Sequence, residues 1–237
     1  MRILVTNDDG LQASQLLPLI RWCQKLGEVT AVVPKFEQSG KSHGIEIHKS
    51  FEAKKVSLAP DVTVWAVDST PADCVRFAIL GLKLPFDLVI SGVNRGLNIG
   101  ADIMYSGTVS AVCEAANLGV PAVALSTSPK NYENATQELD TVLSFFREKQ
   151  LFSIHNLYNV NIPENHKGIR ITHQGGPYYS DDFKPEENDL YRPMGKAVWE
   201  DRQDDTLDTD ATLHGYISIS PLTIIRTDME VYRKLSQ

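Results

Sequence analysis

The sequence predicts an α/β protein, a parallel-sheet core covered by helices on both faces. Three observations lead there. Strand-like and helix-like signals alternate through the first half of the chain, clusters of turn residues close the apolar runs, and only the second half departs from this rhythm.

The elements follow in order. Arg2–Thr6 is a short apolar run that ends in the turn cluster Asn7-Asp8-Asp9-Gly10. Leu16, Leu17, Ile20 and Cys23 recur at helical spacing through Leu26, and Gly27 supplies the stop. Val29–Val33 is a β-branched run closed by Pro34, Phe36–Ser42 is a loop, and Gly44–His48 and Val62–Val67 are further strands. Ala72–Leu82 is a helix with Pro71 at its first turn and Gly81 at its end. Asp87–Ile90 is a buried strand that runs into the glycine-rich stretch Ser91–Gly100. Thr108–Leu118 is a helix of small residues closed by Gly119, Ala122–Leu125 a strand and Glu138–Phe146 a helix. In the second half, Tyr158–Ile162, Ile169–Thr172 and Tyr216–Ile219 have strand character, whereas Gly175–Asp210 is polar, aromatic and loop-like, an excursion in the form of a hairpin or arm. The expected organisation is one domain over 1–237, with a core of about 1–174 plus 207–222, an extension of about 175–206 and a tail over 223–237.

Composition narrows the function. The chain has 237 residues, 42% apolar and 22% charged, with 15 Gly and 12 Pro, ordinary values for a globular protein. Its formal charge of −7 argues against coating a nucleic-acid polymer, which runs on clustered cations. A small nucleotide still binds where local dipoles or a metal invert the field. Cys23, Cys74 and Cys113 are odd in number and widely spaced, with no metal-type pair and no disulfide framework, as suits a reducing compartment. Polar Thr6–Asp9 follows the first apolar run at once, and no run approaches a membrane span, so a cytoplasmic protein without membrane attachment is expected.

In open parallel sheets, ligands sit beyond the carboxyl ends of the strands. Here those ends lead into Asn7-Asp8-Asp9-Gly10, into Gln38-Ser39-Gly40 and into Ser91–Gly100, so the topology gathers three polar, glycine-rich loops on one edge. Adjacent Asp8 and Asp9 repel, and a hard divalent cation such as Mg²⁺ or Mn²⁺ resolves the conflict through carboxylate, amide and hydroxyl oxygens. Ser39 and Asn94 are oxygen donors from the other two loops. Asn-Asp-Asp-Gly is also an ordinary turn and cap sequence, and Ser39 and Asn94 are also common loop residues. Tyr105-Ser106-Gly107-Thr108 opens a helix whose N–H groups and dipole suit a phosphate, although Ser106 or Thr108 is equally an ordinary N-cap. Lys41 and Arg95 add charge near a phosphate or lie solvated on the surface.

Other patterns are discarded. Asp208-Thr-Asp210-Ala-Thr212 matches a phosphatase-type DxDxT pattern but follows the polar run Glu200–Thr206 instead of an apolar strand. GxGxxG and GxxxxGK[ST] are absent, Ser106 does not sit in a GxSxG pattern, and the six histidines show no close pair.

Val5-Thr-Asn-Asp-Asp-Gly10, Gln38-Ser-Gly40, Ser69-Thr-Pro-Ala-Asp-Cys-Val75, Ser91-Gly-Val-Asn-Arg-Gly-Leu-Asn-Ile-Gly100, Tyr105-Ser-Gly-Thr-Val-Ser-Ala111 and Gly215-Tyr-Ile-Ser-Ile-Ser-Pro-Leu222 together resemble the SurE family of 5′/3′-nucleotidases, in the family's own order. The resemblance implies a Rossmann-like core, a dimer or tetramer assembled through a C-terminal arm, and a phosphatase that uses one Mg²⁺ or Mn²⁺ per subunit to act on nucleoside monophosphates. It places metal ligands on Asp8, Asp9, Ser39 and Asn94 and the phosphate-side turn on Ser106, Gly107 and Thr108. Ser39, Ser106, Gly107 and Thr108, with Asn7, Gly40, Lys41, Arg95 and Asn98 from the same loops, form the expected substrate-contacting set, and Asp8, Asp9, Asn94 and Ser106 the catalytic one. Ser69 and Ala115 stand where the family often has glycine, and Gly175–Thr206 matches it only loosely, so substrate preference is the open part. Three readings compete with turnover of nucleotides: a metal-dependent nucleotide sensor without turnover, a different enzyme on the same architecture such as a glycosyltransferase or dehydrogenase, and a purely structural subunit.

Overall fold

The computed structural model describes residues 1–236. Its centre is β1 (Arg2–Thr6), buried from Ile3 onward. Parallel to it lie β2 (Glu28–Pro34) on one side and β5 (Leu88–Arg95) on the other. The series continues through β4 (Val62–Val67) beyond β2, and through β6 (Ala122–Thr127) and β7 (Leu157–Ile162) beyond β5, all parallel. The chain therefore winds outward from β1 in one direction, returns, and winds outward in the other. The reversal falls between β1 and β5, the crevice where doubly wound sheets bind ligands.

Three more strands complete a nine-stranded sheet: β3 (Ala53–Ala59) antiparallel to β4 at one edge, β11 (Ile217–Pro221) antiparallel to β7, and β8 (Ile169–Ile171) parallel to β11 at the other edge. Alternation along β1 feeds two apolar layers. Ile3 and Val5 join Leu19 and Ile20 of α1 (Leu16–Gln24) and Leu139 and Phe146 of α4 (Leu139–Glu148). Leu4 joins Cys74 and Val75 of α2 (Pro71–Arg76) and Val109 and Val112 of α3 (Gly107–Asn117). Both faces are covered, as expected of parallel strands.

The structure departs from the sequence expectations at definite places. Gly44–His48 forms no strand: Ile45 and Ile47 are exposed, and the segment is tied down by Thr70 Oγ1 donating to the Gly44 carbonyl at 2.7 Å and by the Glu46 N–H donating to Asp73 at 2.8 Å. The edge beside β4 is taken instead by β3, whose Lys54 and Lys55 hide its strand character and guard an open edge. The helix expected to Leu82 leaves α-geometry after Arg76 and finishes as a π turn, Phe77–Gly81. The 3₁₀ segments Gly100–Tyr105 and Pro129–Glu138 and the short α5 (Leu151–Ile154) had no clear sequence signal. Within the loop-like excursion, β9 (Tyr179–Pro185) and β10 (Tyr191–Ala197) pair as a separate, largely exposed hairpin, and α6 (Asp208–Leu213) starts before the excursion was expected to end. The tail carries α7 (Met229–Leu235), which buries no residue, and Gln237 lies outside the described residues. Among the described residues no helix is long and apolar enough to cross a membrane.

One irregularity positions the site. Ser91 of β5 faces Ala124 of β6 while Asn94 faces Ser126, so β5 carries an extra residue over this step. Such a bulge interrupts the pairing, which resumes at Asn94 and Arg95 in a shifted register. Gly92 occupies it at φ +136°, where a Cβ would stand 2.3 Å from the Leu125 carbonyl oxygen. Gly119 after α3 also has positive φ, +80°, but nothing lies within 4 Å of a Cβ there. Gly92→Ala is expected to lower unfolding free energy by about 3 kcal/mol. Gly119→Ala should cost only about 1 kcal/mol. Urea denaturation of both variants checks the difference.

Candidate functional site

Each loop at the β1/β5 crevice is locked to its neighbour by backbone contacts. Asn7 closes the first turn on itself, donating from Nδ2 to the Gly10 carbonyl at 3.0 Å and accepting the Gly10 N–H at 3.1 Å. Gly10 has φ +83°, and a Cβ on it would lie 2.8 Å from the Phe36 carbonyl carbon, so glycine allows the loop after β2 to approach. The Gln38 N–H then donates to the Asp8 carbonyl at 2.7 Å, bringing Ser39 and Gly40 to the same edge.

Asp8 is buried and receives two bonds from the start of α3: the Thr108 N–H at 3.1 Å and the Thr108 hydroxyl at 2.5 Å. Gly107 makes this approach possible, since a Cβ there would stand 2.9 Å from the Asp8 Cβ. Asp9 is half-buried. Its Oδ2 accepts the Arg95 N–H at 3.1 Å and the Tyr132 hydroxyl at 3.4 Å, while the Arg95 guanidinium lies 5.9 Å from the Tyr132 ring centre. The four chain segments therefore meet, and the meeting point is the pair of carboxylates.

Their electrostatics are unfavourable. Burial pushes Asp8 above the usual carboxylate range against the two Thr108 bonds. Asp9 is pushed up to about 6, first by burial and then by the charge of Asp8, and Glu37 adds to the repulsion at both. Among the described residues no third His, Cys, Asp or Glu gathers with them as a metal-binding group. Neutral oxygens are at hand. Asn94, just past the bulge, donates from Nδ2 to the Gly96 carbonyl at 2.8 Å, which leaves its Oδ1 as an acceptor, and Ser39 is an exposed loop hydroxyl that donates to Glu37 at 2.7 Å. A buried and a half-buried carboxylate, both of raised pKa, with a neutral amide and hydroxyl suit a hard, partly hydrated cation such as Mg²⁺ or Mn²⁺.

The remaining sequence candidates divide. Gly40 and Lys41 lie exposed on the loop after β2. The N–H groups expected to be free at the start of α3 are mostly committed: that of Thr108 goes to Asp8 and that of Val109 to the Ser106 hydroxyl, leaving that of Gly107. Ser106 is thus the N-cap of α3, with its oxygen used in the cap. Asn98 is spent within the protein. Its N–H donates to Asn161 Oδ1 and its Nδ2 to the Ser126 hydroxyl, and its carbonyl accepts from Asn159 and Asn161.

Sequence reasoning did not single out Tyr132 or Glu37, the other polar neighbours of the carboxylates. Tyr132 comes from a 3₁₀ segment 123 residues beyond Asp9, and no local pattern marks it. The discarded pair Asp208 and Asp210 proves to be a buried brace: Asp208 accepts the N–H groups of Gly100 and Gly175, and Asp210 those of Trp199 Nε1, Arg202 and Asp204. Three of the histidines pair with acids away from Asp8 and Asp9: His43 with Glu114, His166 with Glu138, and His214 with Asp201 and Asp205.

Raised carboxylate pKa values favour the protonated fold, so Asp9 contributes stability that is present below about pH 4 and lost as pH rises through about 6. In chelator, Asp9→Asn is expected to match the parent near pH 4 and to exceed its stability at pH 8, read from urea unfolding at the two pH values.

Comparison with known proteins places the chain. The sequence model of the family described as Survival protein SurE matches residues 3–181. The protein named 5'-nucleotidase SurE from Thermosipho melanesiensis is 37% identical over 250 residues, covering 100% of this chain and 97% of that protein. Its namesake from Thermoanaerobacter pseudethanolicus is 38% identical over 247 residues, again covering 100% and 97%. The crystal structure of the Sure protein from Aquifex aeolicus superposes with a TM-score of 0.75 at 28% identity, covering 100% of this chain and 98% of that one. With its fold, its ordered motifs and its full-length relatives in agreement, this chain belongs to the SurE family.

Proposed function

We propose that the protein is a divalent-metal-dependent phosphatase that hydrolyses nucleoside 5′- and 3′-monophosphates to nucleoside and phosphate, with short-chain polyphosphate as a further substrate. The observation that carries this reading is the convergence of Asp8 and Asp9 with the end of β5 and the first turn of α3 at the β1/β5 reversal, in a chain whose full-length relatives bear the name 5'-nucleotidase.

Asp8, Asp9, Asn94 and Ser39 would hold one Mg²⁺ or Mn²⁺, which supplies charge neutralisation at a phosphoryl oxygen and a more acidic water. Without that charge the two carboxylates repel a phosphate dianion. The chain's own groups do the rest. Thr108 fixes the Asp8 carboxylate from two directions, so it is oriented before substrate arrives. Gly107 presents its N–H at the positive end of α3, towards which a phosphoryl oxygen is drawn. Arg95 and Lys41 are exposed cations on the flanking loops, suited to steering an anion. Asp9 has one oxygen engaged by Arg95 and Tyr132 and the other without a protein donor, and this second oxygen takes the proton of the attacking water. The Ser106 hydroxyl caps α3 with no base bonded to it, so it holds the turn and is not the nucleophile. Exposed apolar side chains on the hairpin (Phe183, Tyr191) and the tail (Ile225, Leu235) support assembly into a homodimer or homotetramer through those segments.

The test is phosphate release from a panel of nucleoside monophosphates. Activity should fall to background in EDTA with the circular dichroism spectrum retained, and return with Mn²⁺ or Mg²⁺. Full activity after exhaustive chelation overturns the metal role, and binding without phosphate release overturns turnover. Asn94→Ala should lower kcat about 100-fold or more. Its cost in stability should stay below about 1 kcal/mol.

A further inference from the structure

A cavity of 370 Å³ opens at the amino ends of the strands, on the opposite edge of the sheet from Asp8 and Asp9. Its floor is Leu88 and Ile90 of β5 with Val123 and Leu125 of β6. Trp22 and Leu26 stand on one side, Leu143 and Phe146 on the other. The gap has a topological cause. The helices of this face, α1 and α4, belong to the connections β1–β2 and β6–β7, so the middle of the sheet lies between them. The 3₁₀ segment Pro129–Glu138 covers the end nearest the carboxylates, burying Ala135 and reaching Asp9 through Tyr132, and leaves the other end open. Leu88, Val123 and Phe146 accordingly keep 7 to 8% exposure, where Ile3 and Val5 of β1 keep none.

Interior, rim and size define what fits. The floor and sides offer a ligand no side-chain hydrogen bond: Trp22 Nε1 is their one polar side-chain atom, and it donates to Asp140 at 2.8 Å. Water finds no partners in such a space, and the buried part of a ligand must be hydrocarbon. The rim is different. Arg147 is the one charged side chain among the lining residues, and it is exposed beside Gln150 and Ser153. None of these three side chains has a hydrogen-bond or ion-pair partner among the described residues. The acids next to the rim in sequence are taken, Glu148 by Lys149 at 3.0 Å and Asp87 by Arg2 at 2.9 Å. A guanidinium without a carboxylate of its own, flanked by an amide and a hydroxyl donor, is complementary to a carboxylate on the ligand. Size sets the length. A cavity of about 150 Å³ holds one benzene, so 370 Å³ has room for about 12 to 15 non-hydrogen atoms.

We infer that this cavity binds a free monocarboxylic acid with an unbranched chain of about 8 to 12 carbons, the chain lying over β5 and β6 and the carboxylate at Arg147. The site is separate from the proposed phosphatase chemistry, since none of its residues belongs to the set around Asp8 and Asp9. An enclosed apolar body with a few polar groups at one end is the usual construction of a small-molecule site.

The experiment is calorimetric titration of the full-length protein with decanoate, kept below the concentration at which the acid forms micelles. Octanoate and hexanoate are the shorter probes, and decylamine is the same chain with the opposite charge. Decanoate should bind at one site per chain, and each loss of two carbons should weaken binding about 15-fold. Decylamine should bind about tenfold more weakly than decanoate. Arg147→Gln should weaken decanoate about 3- to 10-fold and remove the preference over decylamine. Leu143→Trp and Leu26→Trp fill the space from opposite sides at half-buried positions, and each should abolish binding with the circular dichroism spectrum retained. If both filled variants fail to fold, the chain-length series and Arg147→Gln decide. No heat with decanoate, equal binding at all chain lengths, decylamine as tight as decanoate, or undiminished binding in a folded filled variant overturns the inference. A parent that takes no decanoate but self-associates in sedimentation, and loses that association in Leu143→Trp, has a second copy over this gap, which also overturns it.

Discussion

Two carboxylates of like charge sit side by side at the buried end of the central strand, and the structure around them is arranged to tolerate that. Asp8 is stabilised by the first turn of α3, through the N–H and hydroxyl of Thr108, and Asp9 by the N–H of Arg95 and the hydroxyl of Tyr132. These bonds reduce the penalty without removing it, for burial pushes both groups above the normal carboxylate range, Glu37 adds to it at both, and the charge of Asp8 adds to it at Asp9. Acidic pairs of this kind are a cost to the metal-free fold and are expected only where a ligand relieves them.

The constraint spreads outward. For α3 to point at Asp8, Gly107 must lack a side chain, and the preceding turn must be held at both ends. Asp208 grips the Gly100 and Gly175 N–H groups, and Asp102 grips those of Tyr178 and Tyr179, so the hairpin base, α6 and the crevice loop are tied to one another. On the other side, the bulge at Gly92 shifts the register of β5 against β6, so that Asn94 stands opposite Ser126. Buried acids that brace backbone N–H groups are costly to bury alone; at Asp210 the bonds outweigh burial and hold the carboxyl below its ordinary range, whereas at Asp208 burial still pushes it up.

Much of the fold is legible in the sequence because its period and punctuation agree. Pro71 announces α2, and the structure adds Thr70 as its cap, accepting the Asp73 N–H at 3.1 Å. Legibility fails where tertiary pairing overrides local pattern. Gly44–His48 alternates like a strand but meets no free edge, while Ala53–Ala59, lysine-bearing and unremarkable, takes the one that exists. At the site, the loops after β1, β2 and β5 are conspicuous because glycine, aspartate and asparagine cluster at strand ends. Tyr132 and Asp102 are not, because their parts come from partners far away in the chain.

What the sequence determined by itself is the alternation of strands and helices from β1 to β7 apart from β3, the two-faced apolar layering of the sheet and the membership of a family, since these depend on local spacing and on motif order along one dimension. What only the tertiary structure decided is which polar groups are spent and which remain available. Asn98 turned inward to Asn161 and Ser126, the Thr108 N–H went to Asp8, and the Thr212 hydroxyl was left unpaired. Hydrogen-bond satisfaction depends on three-dimensional neighbours, and no reading of residue types in order can assign it.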